Sequence, residues 1–217
     1  MDWSFIAEYT PLFAESALLT IIIGGIGTLL SMLTGLVCAM IKYFRIPVLK
    51  HIVTAYTELS RNTPLIVQLF FLYFGLPKAG IILSSEACGI IGLTFLGGSY
   101  MAESFYAALG TVLKGQIDSA DSLALNRVQT MRYVVFPQAA RAAVSPICAN
   151  VIFLLKETSV FSAVSLADLM YTAKDLIGMY YNTTEILSML VVSYLLILLP
   201  VSGIFSLLER RINRGRI

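Results

Sequence analysis

The sequence predicts an all-α membrane protein with five transmembrane helices that form a single domain over residues 1–217. Of its 217 residues, 58% are hydrophobic and 13% are charged, and the mean hydropathy is +0.82. A water-soluble domain of this size could not bury that much apolar surface, so most of it should face lipid or neighbouring membrane helices. The net charge of +2 is too small to indicate a nucleic-acid partner. Three widely separated cysteines give no disulfide or metal-ligand pattern.

The first and last helices are the clearest elements. Segments 16–41 and 186–208 contain no charged residue, and each exceeds the ~20 residues that cross a bilayer. The N-terminus is acidic, unlike the start of a signal peptide, so the first helix should remain in the mature protein. Three apolar segments between them, 52–75, 90–113 and 142–166, each carry at least one charge. A charge inside a span is costly, so these helices should face a bundle interior or a pathway.

The distribution of basic residues predicts the orientation. Cytoplasmic loops are enriched in Lys and Arg, and the basic residues lie mostly after the first and third helices and in the C-terminal tail. We therefore expect the N-terminus outside, the C-terminus in the cytoplasm, and segment 114–141 as a cytoplasmic loop. The basic residues that carry this prediction are Lys42, Arg45, Lys50, Lys114, Arg127, Arg132, Arg141, Arg210, Arg211, Arg214 and Arg216.

Segment 114–141 is polar but not a typical flexible linker. Residues 118–126 predict a short amphipathic helix, with Asp118 and Asp121 in a first turn that favours acidic residues and Leu123 and Leu125 as apolar contacts. An apolar patch at 134–136 follows and is expected to stop at Pro137. Such a surface helix either caps the bundle or binds a partner.

The spacing of this segment resembles a cytoplasmic signature of the integral membrane subunits of ATP-binding cassette (ABC) importers. That signature is Glu-Ala-Ala, three residues, Gly, nine residues, Ile, one residue and Leu-Pro. The same register holds other residue types at several positions here, with Asp for Glu, Ser for Ala, Ala for Gly, Val for Ile and Phe for Leu. The matching residues are Asp118, Ser119, Ala120, Ala124, Val134, Phe136 and Pro137.

Four further stretches are similar to the polar amino-acid uptake branch of that family, which includes histidine and glutamine permeases. They are segments 58–77, 99–103, 137–141 and 154–160, with Pro146 and Asn150 between the last two. The resemblance implies the permease fold of type I ABC importers, in the bacterial plasma (inner) membrane. It also implies a second permease subunit, identical or paralogous, two cytoplasmic ATPase subunits and an external solute-binding protein.

The resemblance assigns ATP and Mg²⁺ to the ATPase subunits, with no cofactor, metal or catalytic residue on this chain. The sequence agrees, because it contains no Gly-rich phosphate-binding loop ending in Lys and Ser or Thr. The cytoplasmic segment would couple the ATPase to the bundle. The residues assigned to coupling are Asp118, Ser119, Ala120, Asp121, Leu123, Ala124, Leu125 and Pro137.

A first group of substrate-path candidates lies in the second helix. Thr63 and Pro64 form a helix-start signal, with a capping side chain followed by proline. Glu58 and Arg61 are spaced to pair at i and i+3. A helix N-terminus at membrane depth would attract a carboxylate. The alternative is that Arg61 only reaches the cytoplasmic interface and Pro64 is structural. The candidates in this group are Glu58, Arg61, Thr63 and Gln68.

A second group consists of Glu103, Lys156 and Glu157, which interrupt the third and fourth helices. They either line the translocation path, where opposite charges suit a zwitterion, or pair structurally and lower their insertion cost. Small residues such as Gly24, Gly25 and Gly35 predict close helix packing within the subunit. An ion-coupled secondary transporter of small polar solutes is the competing function, because buried charges and a broken helix would suit it equally.

Overall fold

A computed structural model describes residues 1–213, and these residues contain helices and turns but no strand. The all-α prediction is therefore confirmed for this part of the chain. Arg214 and Arg216, which contributed to the predicted orientation, lie outside the described residues. The α-helices are α1 (Trp3–Tyr43), α2 (Leu49–Arg61), α3 (Leu65–Phe70), α4 (Ser85–Leu109), α5 (Lys114–Ser122), α6 (Arg127–Thr130), α7 (Phe136–Glu157), α8 (Leu169–Tyr180) and α9 (Thr183–Asn213).

Three helical stretches of residues 1–213 are long and apolar enough to cross a membrane: Trp3–Tyr43, Arg127–Val164 and Thr183–Ile212. The third of these is only 6% buried inside the chain over its most apolar part, so it presents its surface to lipid or a partner. Helix α4 has 25 residues, which at 1.5 Å each is also enough to span the hydrocarbon core. Its glycine, serine and threonine residues lower its hydropathy.

Helix α1 begins well before the predicted segment 16–41. Asp2 caps it, because the Asp2 side chain accepts hydrogen bonds from the backbone N–H groups of Ser4 and Phe5. The acidic N-terminal residues therefore belong to a helix of 41 residues that contains Pro11. Sequence reasoning placed this region outside the helix because it counted charge and not the capping signal.

The second predicted helix, 52–75, is interrupted. Helix α2 ends at Arg61, and α3 begins at Leu65 after Pro64, whose extended backbone (ψ 144) prevents a continuous helix. The restart near Pro64 was predicted, but Thr63 is not its cap. The Thr63 hydroxyl instead donates to the Leu59 carbonyl at 2.8 Å. Beyond α3 the chain forms a π turn, Phe71–Gly75, which is wider than an α-helical turn. A tighter 3₁₀ turn, Leu76–Ala79, follows it.

Segment 114–141, predicted to be a cytoplasmic connection with one short helix, is mostly helical. Helix α5 begins at Lys114 and ends at Ser122, so Asp118 and Asp121 lie beyond its first turn and the predicted dipole interaction is wrong. Helix α6 continues through a π turn, Met131–Val135, into α7. Pro137 is at the second position of α7, so the helical run continues past it and does not stop. The wider π turn before it means that the missing N–H of Pro137 is not needed for a standard i to i−4 hydrogen bond.

The remaining predicted spans shift by a few residues and reveal an extra helix. Segment 90–113 corresponds to α4, which Ser84 caps. Segment 142–166 corresponds to α7 followed by a 3₁₀ turn, Thr158–Val164. Helix α8 was not predicted, because its 12 residues were read as part of a polar connection. Segment 186–208 lies inside α9.

Close contact between α1 and α4 forms the centre of the bundle. The buried core includes Ile23 of α1, Leu93 and Met101 of α4, and Leu154 of α7. Gly35 allows the approach, since a Cβ at this position would lie 2.8 Å from the backbone nitrogen of Ala102. Gly24 and Gly35 therefore pack within the subunit as predicted, whereas a Cβ at Gly25 would meet nothing within 4 Å, so the prediction is wrong there. The crossing brings the charged ends of α1 and α2 to the part of α4 that carries Glu103.

Candidate functional site

A polar cavity of about 430 Å³ lies between the ends of α1 and α2 and the middle of α4. It contains two basic and two acidic side chains in a bundle whose interior is otherwise largely apolar. The cavity therefore presents both signs of charge to whatever enters it. Its lining residues are Lys42, Thr57, Glu58, Arg61, Asn62, Tyr100 and Glu103.

Glu103 lies between the two cations of this polar cavity. Lys42 Nζ is 2.5 Å from Glu103 Oε1, and Arg61 Nη1 is 4.0 Å from Glu103 Oε2. The two cations also face aromatic rings, with Arg61 Cζ 5.3 Å from the Tyr100 centroid and Lys42 Nζ 5.0 Å from that of Tyr106. The close Lys42 contact and the longer Arg61 contact leave the guanidinium available for a further anionic partner.

Arg61 does not pair with Glu58, although their spacing predicted it. Among residues 1–213, the only ion pair of Arg61 is with Glu103, and Glu58 forms none. Arg61 is the last residue of α2, just before the helix break, so its side chain crosses to α4 instead of following its own helix. The tertiary contact is the physical reason that the local spacing rule fails here.

Gln68 stabilises the break between α2 and α3. Its Nε2 donates to the Ser60 carbonyl at 3.1 Å and to the Thr63 carbonyl at 2.9 Å. The Ser60 carbonyl also accepts from the Thr63 N–H at 3.4 Å. The Thr63 carbonyl would otherwise lack a backbone partner at membrane depth, where an unpaired backbone group is costly. Gln68 Oε1 is buried and has no hydrogen-bond partner within residues 1–213. Gln68 thus holds the break open through its amide nitrogen.

A second cavity, of about 270 Å³, adjoins the polar cavity at Arg61 and Tyr100, which line both. We call it the Glu157 cavity. Its remaining lining comes from the start of α3, the middle of α4 and the end of α7, and Glu157 is half-buried there. Lys156 is exposed and lines neither cavity. Neither residue forms an ion pair within the described part of the chain, so they do not pair with each other.

The predicted coupling residues surround a tight turn between α5 and α6. Ala120 is buried, Leu123 is 76% exposed and Ala124 is exposed with a left-handed backbone (φ 55). The Ala124 N–H donates to the Asp121 carbonyl at 2.9 Å, and the Leu125 N–H donates to the Ala120 carbonyl at 3.1 Å. These two bonds form a Schellman motif, in which glycine usually occupies the position of Ala124.

Comparison with known proteins decides the family. The family described as binding-protein-dependent transport system inner membrane component matches residues 31–214. The chain belongs to this family. It is the membrane-spanning permease component of an ABC importer, located in the inner membrane, and ATP hydrolysis resides on a separate subunit.

The relatives of this permease include subunits of amino-acid transporters. It is 32% identical over 214 residues to the glutamine transport system permease protein of Escherichia coli (strain K12), which covers 98% of both chains. It is 34% identical over 171 residues to a probable glutamine ABC transporter permease protein of Bacillus subtilis (strain 168), covering 79% of this chain and 78% of that one.

Solved structures agree with the family. A crystal structure of an amino acid ABC transporter with histidines has a TM-score of 0.90 at 31% identity, over 97% of this permease and 99% of that chain. An inward-facing MetNI methionine ABC transporter has a TM-score of 0.80 at 19% identity, over 98% of this permease and 99% of that chain, which is a likeness of fold.

Sequence reasoning gave no functional role to several members of the permease's polar cavity, among them Lys42 and Tyr100. Lys42 was interpreted only as a marker of the cytoplasmic side. It directly follows an apolar span, however, and Glu103 within another apolar segment needed a basic partner. Tyr100 was part of a recognised stretch, but no role was given to its ring. The crossing of α1 and α4 creates both contacts, and no local pattern encodes it.

A second buried polar group lies between α1, α8 and α9. Asp168 is fully buried and caps α8, since its Oδ1 accepts from the Tyr171 N–H at 2.9 Å. The neighbouring Leu169 N–H donates to Thr20 Oγ1 at 3.1 Å. Asp168 Oδ2 has no hydrogen-bond partner within residues 1–213. Burial raises the pKa of Asp168 to about 6, so this carboxyl changes charge just below neutral pH.

Proposed function

We propose that this permease imports polar amino acids by an ATP-driven mechanism. The observation that carries the proposal is the similarity, over nearly the whole chain, to a structure of an amino acid ABC transporter. The mixed charges of the polar cavity support it, because a zwitterionic amino acid presents a carboxylate and an ammonium group together. A cavity of this volume is also near the lower end of small-molecule sites.

The proposed topology has five spans, with the N-terminus outside and the C-terminus in the cytoplasm. The three apolar stretches supply three spans, α4 supplies one, and α2 with the helical run Leu65–Ala79 supplies the interrupted one. The position of the basic residues supports this orientation. Two permease subunits, identical or paralogous, would assemble with two ATPases that bind ATP and Mg²⁺, and with an external solute-binding protein.

In this proposal the substrate path runs through the two adjoining cavities. Arg61 would bind the substrate carboxylate, and Glu157 or Glu58 would face its ammonium group. Glu103 holds both cations in place, and Gln68 and Thr63 keep the helix break open. Lys156 was also a path candidate, but it is exposed and lines neither cavity, so it has no place in the proposed path.

The turn between α5 and α6 would dock into the ATPase and transmit its closure. Helix α5 has nine residues, so it forms a rigid rod of about 14 Å. Exposed Leu123 offers an apolar contact to the ATPase, and half-buried Leu125 and buried Ala120 fix the turn to the bundle. Asp118, Ser119, Asp121 and Pro137 would set its orientation.

The central experiment reconstitutes the permease with its ATPases in vesicles and adds a ligand-loaded binding protein. Uptake of glutamine, glutamate, histidine, arginine and cystine is measured alongside ATP hydrolysis. We expect uptake of at least one of these amino acids and stimulation of the ATPase by the loaded binding protein. Uptake that persists without any ATPase would refute the ATP-driven mechanism and favour an ion-coupled carrier.

Variants separate the coupling turn from the path. Ala124→Leu should lower uptake while the ATPase still co-purifies, because a bulky side chain changes how the turn sits against the ATPase and uncouples ATP hydrolysis from transport. Ala124→Gly is the control that adds no bulk. Unchanged uptake in Ala124→Leu would argue against coupling at this turn. Glu103→Gln and Glu157→Gln should change uptake kinetics or specificity, and wild-type behaviour of both would remove them from the path.

A further inference from the structure

A third cavity, of about 280 Å³, lies beside the end of α1 and does not share a residue with the polar cavity or the Glu157 cavity. We call it the elbow cavity, because the elbow between α1 and α2 forms one wall, with α5 and the start of α6 as the others. Besides the phenol of Tyr43, its lining contains two basic residues, one acidic residue and one aliphatic hydroxyl group. These are Arg45, Arg127, Asp121 and Thr130.

Thr130 supplies the strongest sign that the elbow cavity receives a ligand. Its side chain is 7% exposed, and its Oγ1 has no hydrogen-bond partner within residues 1–213. Leaving a buried hydroxyl unpaired costs about 1–3 kcal/mol. A group that enters the cavity and accepts a hydrogen bond from the Thr130 hydroxyl would remove this cost.

Two guanidinium groups point to an anionic acceptor. Arg45 and Arg127 line the elbow cavity, and neither lies within 4.0 Å of a carboxylate of the described residues. Arginine recognises phosphate through paired N–H donors. Asp121 lies in the same lining and opposes a purely anionic ligand. The cavity therefore suits a ligand with a phosphate at one end and a cation at the other.

The backbone at Arg45 is strained in a way that fixes this arginine beside the cavity. Its φ is 52, a left-handed conformation that costs a non-glycine residue about 1–2 kcal/mol. The Arg45 N–H donates to the Lys42 carbonyl and the Ile46 N–H to the Ile41 carbonyl, both at 3.2 Å. This is a Schellman motif with arginine where glycine is usual.

The surroundings of the elbow cavity fit the membrane interface. Phe44 in the lining is exposed, and further exposed apolar side chains lie on the elbow that carries Arg45 and at the residue before α5. Apolar and basic groups side by side are typical of surfaces that lie at the boundary between lipid headgroups and acyl chains. These exposed apolar residues are Phe44 (45% exposed), Ile46 (38%), Val48 (69%) and Leu113 (71%).

We propose that the elbow cavity binds the headgroup of phosphatidylethanolamine from the inner leaflet. Arg45, Arg127 and the Thr130 hydroxyl would bind the phosphodiester, and Asp121 would accept hydrogen bonds from the primary ammonium. The negative phosphodiester would thus lie between two guanidinium groups, and the positive ammonium would face one carboxylate. The proposal relies on the proposed topology, which puts the end of α1 at the inner leaflet, but not on the identity of the transported amino acid.

The test uses the intact complex in vesicles with equal amounts of phosphatidylethanolamine, phosphatidylglycerol and phosphatidylcholine. The complex is extracted with its bound lipid by a detergent-free polymer, and the lipid is quantified by mass spectrometry. We expect about fivefold enrichment of phosphatidylethanolamine over phosphatidylcholine, the factor given by about one additional hydrogen bond, because only the primary ammonium has N–H groups that can donate to Asp121. Inorganic phosphate added in excess should not displace the lipid, because the acyl chains hold it in the bilayer.

Matched variants locate the effect. Arg45→Asn keeps a residue that tolerates the left-handed backbone and should lower the amount of phosphatidylethanolamine retained, because one phosphate contact is lost. Thr130→Val should also lower this amount without lowering stability in phosphatidylcholine alone, because valine removes the unpaired hydroxyl. Asp121→Asn should abolish the preference over phosphatidylcholine, because the carboxylate that accepts from the ammonium is lost. Arg132→Asn is the control, since Arg132 is exposed outside the cavity, and it should bind lipid as the wild type does.

Three results would overturn the proposal. One is equal retention of the three lipids by the wild type. Another is displacement of the lipid by inorganic phosphate, which would mark a site for the free anion. The third is loss of ATPase co-purification in Arg45→Asn with unchanged lipid, which would assign the elbow cavity to the ATPase interface. A complex that binds phosphatidylethanolamine but transports no amino acid would refute the proposed function alone.

Discussion

The crossing of α1 and α4 predicts that Gly35 cannot be enlarged. In Gly35→Ala the new Cβ would lie 2.8 Å from the backbone nitrogen of Ala102 and 2.8 Å from the carbonyl carbon of Met101, where ordinary contacts begin near 3.4 Å. These backbone atoms cannot rotate away, and Met101 Cβ would be closer still, so the helices must separate by more than about 0.6 Å. Overpacking of this kind costs about 1–3 kcal/mol.

Gly25→Ala is the matched control on the same helix, because a Cβ there meets nothing within 4 Å. Both substitutions gain the same helix propensity, about 1 kcal/mol, so this contribution cancels in their difference. The free energy of unfolding of the full chain, measured by SDS titration in mixed micelles, should therefore be about 1–3 kcal/mol lower in Gly35→Ala than in Gly25→Ala. Values that agree within about 0.5 kcal/mol would show that α1 and α4 do not approach so closely.

Three other perturbations have defined outcomes. Ala124→Gly should relieve about 1 kcal/mol of left-handed strain and slow amide hydrogen exchange at Leu125; faster exchange would contradict the Schellman motif. Asp168 has a folded pKa of about 6, above its unfolded value, so its contribution to stability falls as pH rises from 4 to 7. Asp168→Asn should thus gain about 2 kcal/mol relative to the wild type over that range, and parallel pH profiles would disprove it. A double-mutant cycle of Lys42→Met and Glu103→Gln should give a coupling energy of about 1 kcal/mol, whereas additive effects would mean that the ion pair does not form.

The apolar spans were predictable, because long uncharged segments can only be accommodated in a membrane or a large core. The ends of the helices were less so. Helix α1 extends back to Trp3 because Asp2 caps it, although charge alone placed this region outside the helix. Helix α5 starts at Lys114 and leaves Asp118 beyond its first turn. Helix ends depend on which side chain finds a free N–H group, and several candidates in a polar segment can do so.

The charged site was predictable in part. Glu103 could be found because an acid in an apolar helix requires a partner, but sequence could not show that the partner is Lys42 from α1. Arg61 was expected to pair within its own helix, and the fold places Glu103 nearer. Asp168 follows the fourth predicted span, where no local pattern indicates burial, yet it is fully buried. In each case a contact between distant segments determines the environment, and hydropathy along the chain carries no information about such contacts.

The last turn of α1 connects the polar cavity with the elbow cavity. Lys42 points inward to Glu103, and Arg45, three residues later, lines the elbow cavity. The Arg45 N–H donates to the carbonyl of Lys42, so the two side chains share one rigid helix end. A lipid bound at Arg45 would therefore restrict the same turn that positions Lys42 against Glu103. If the α5–α6 turn moves with the ATPase, Asp121 and Arg127 carry that movement to the wall of the elbow cavity, which places the lipid between the moving turn and the charges of the proposed path.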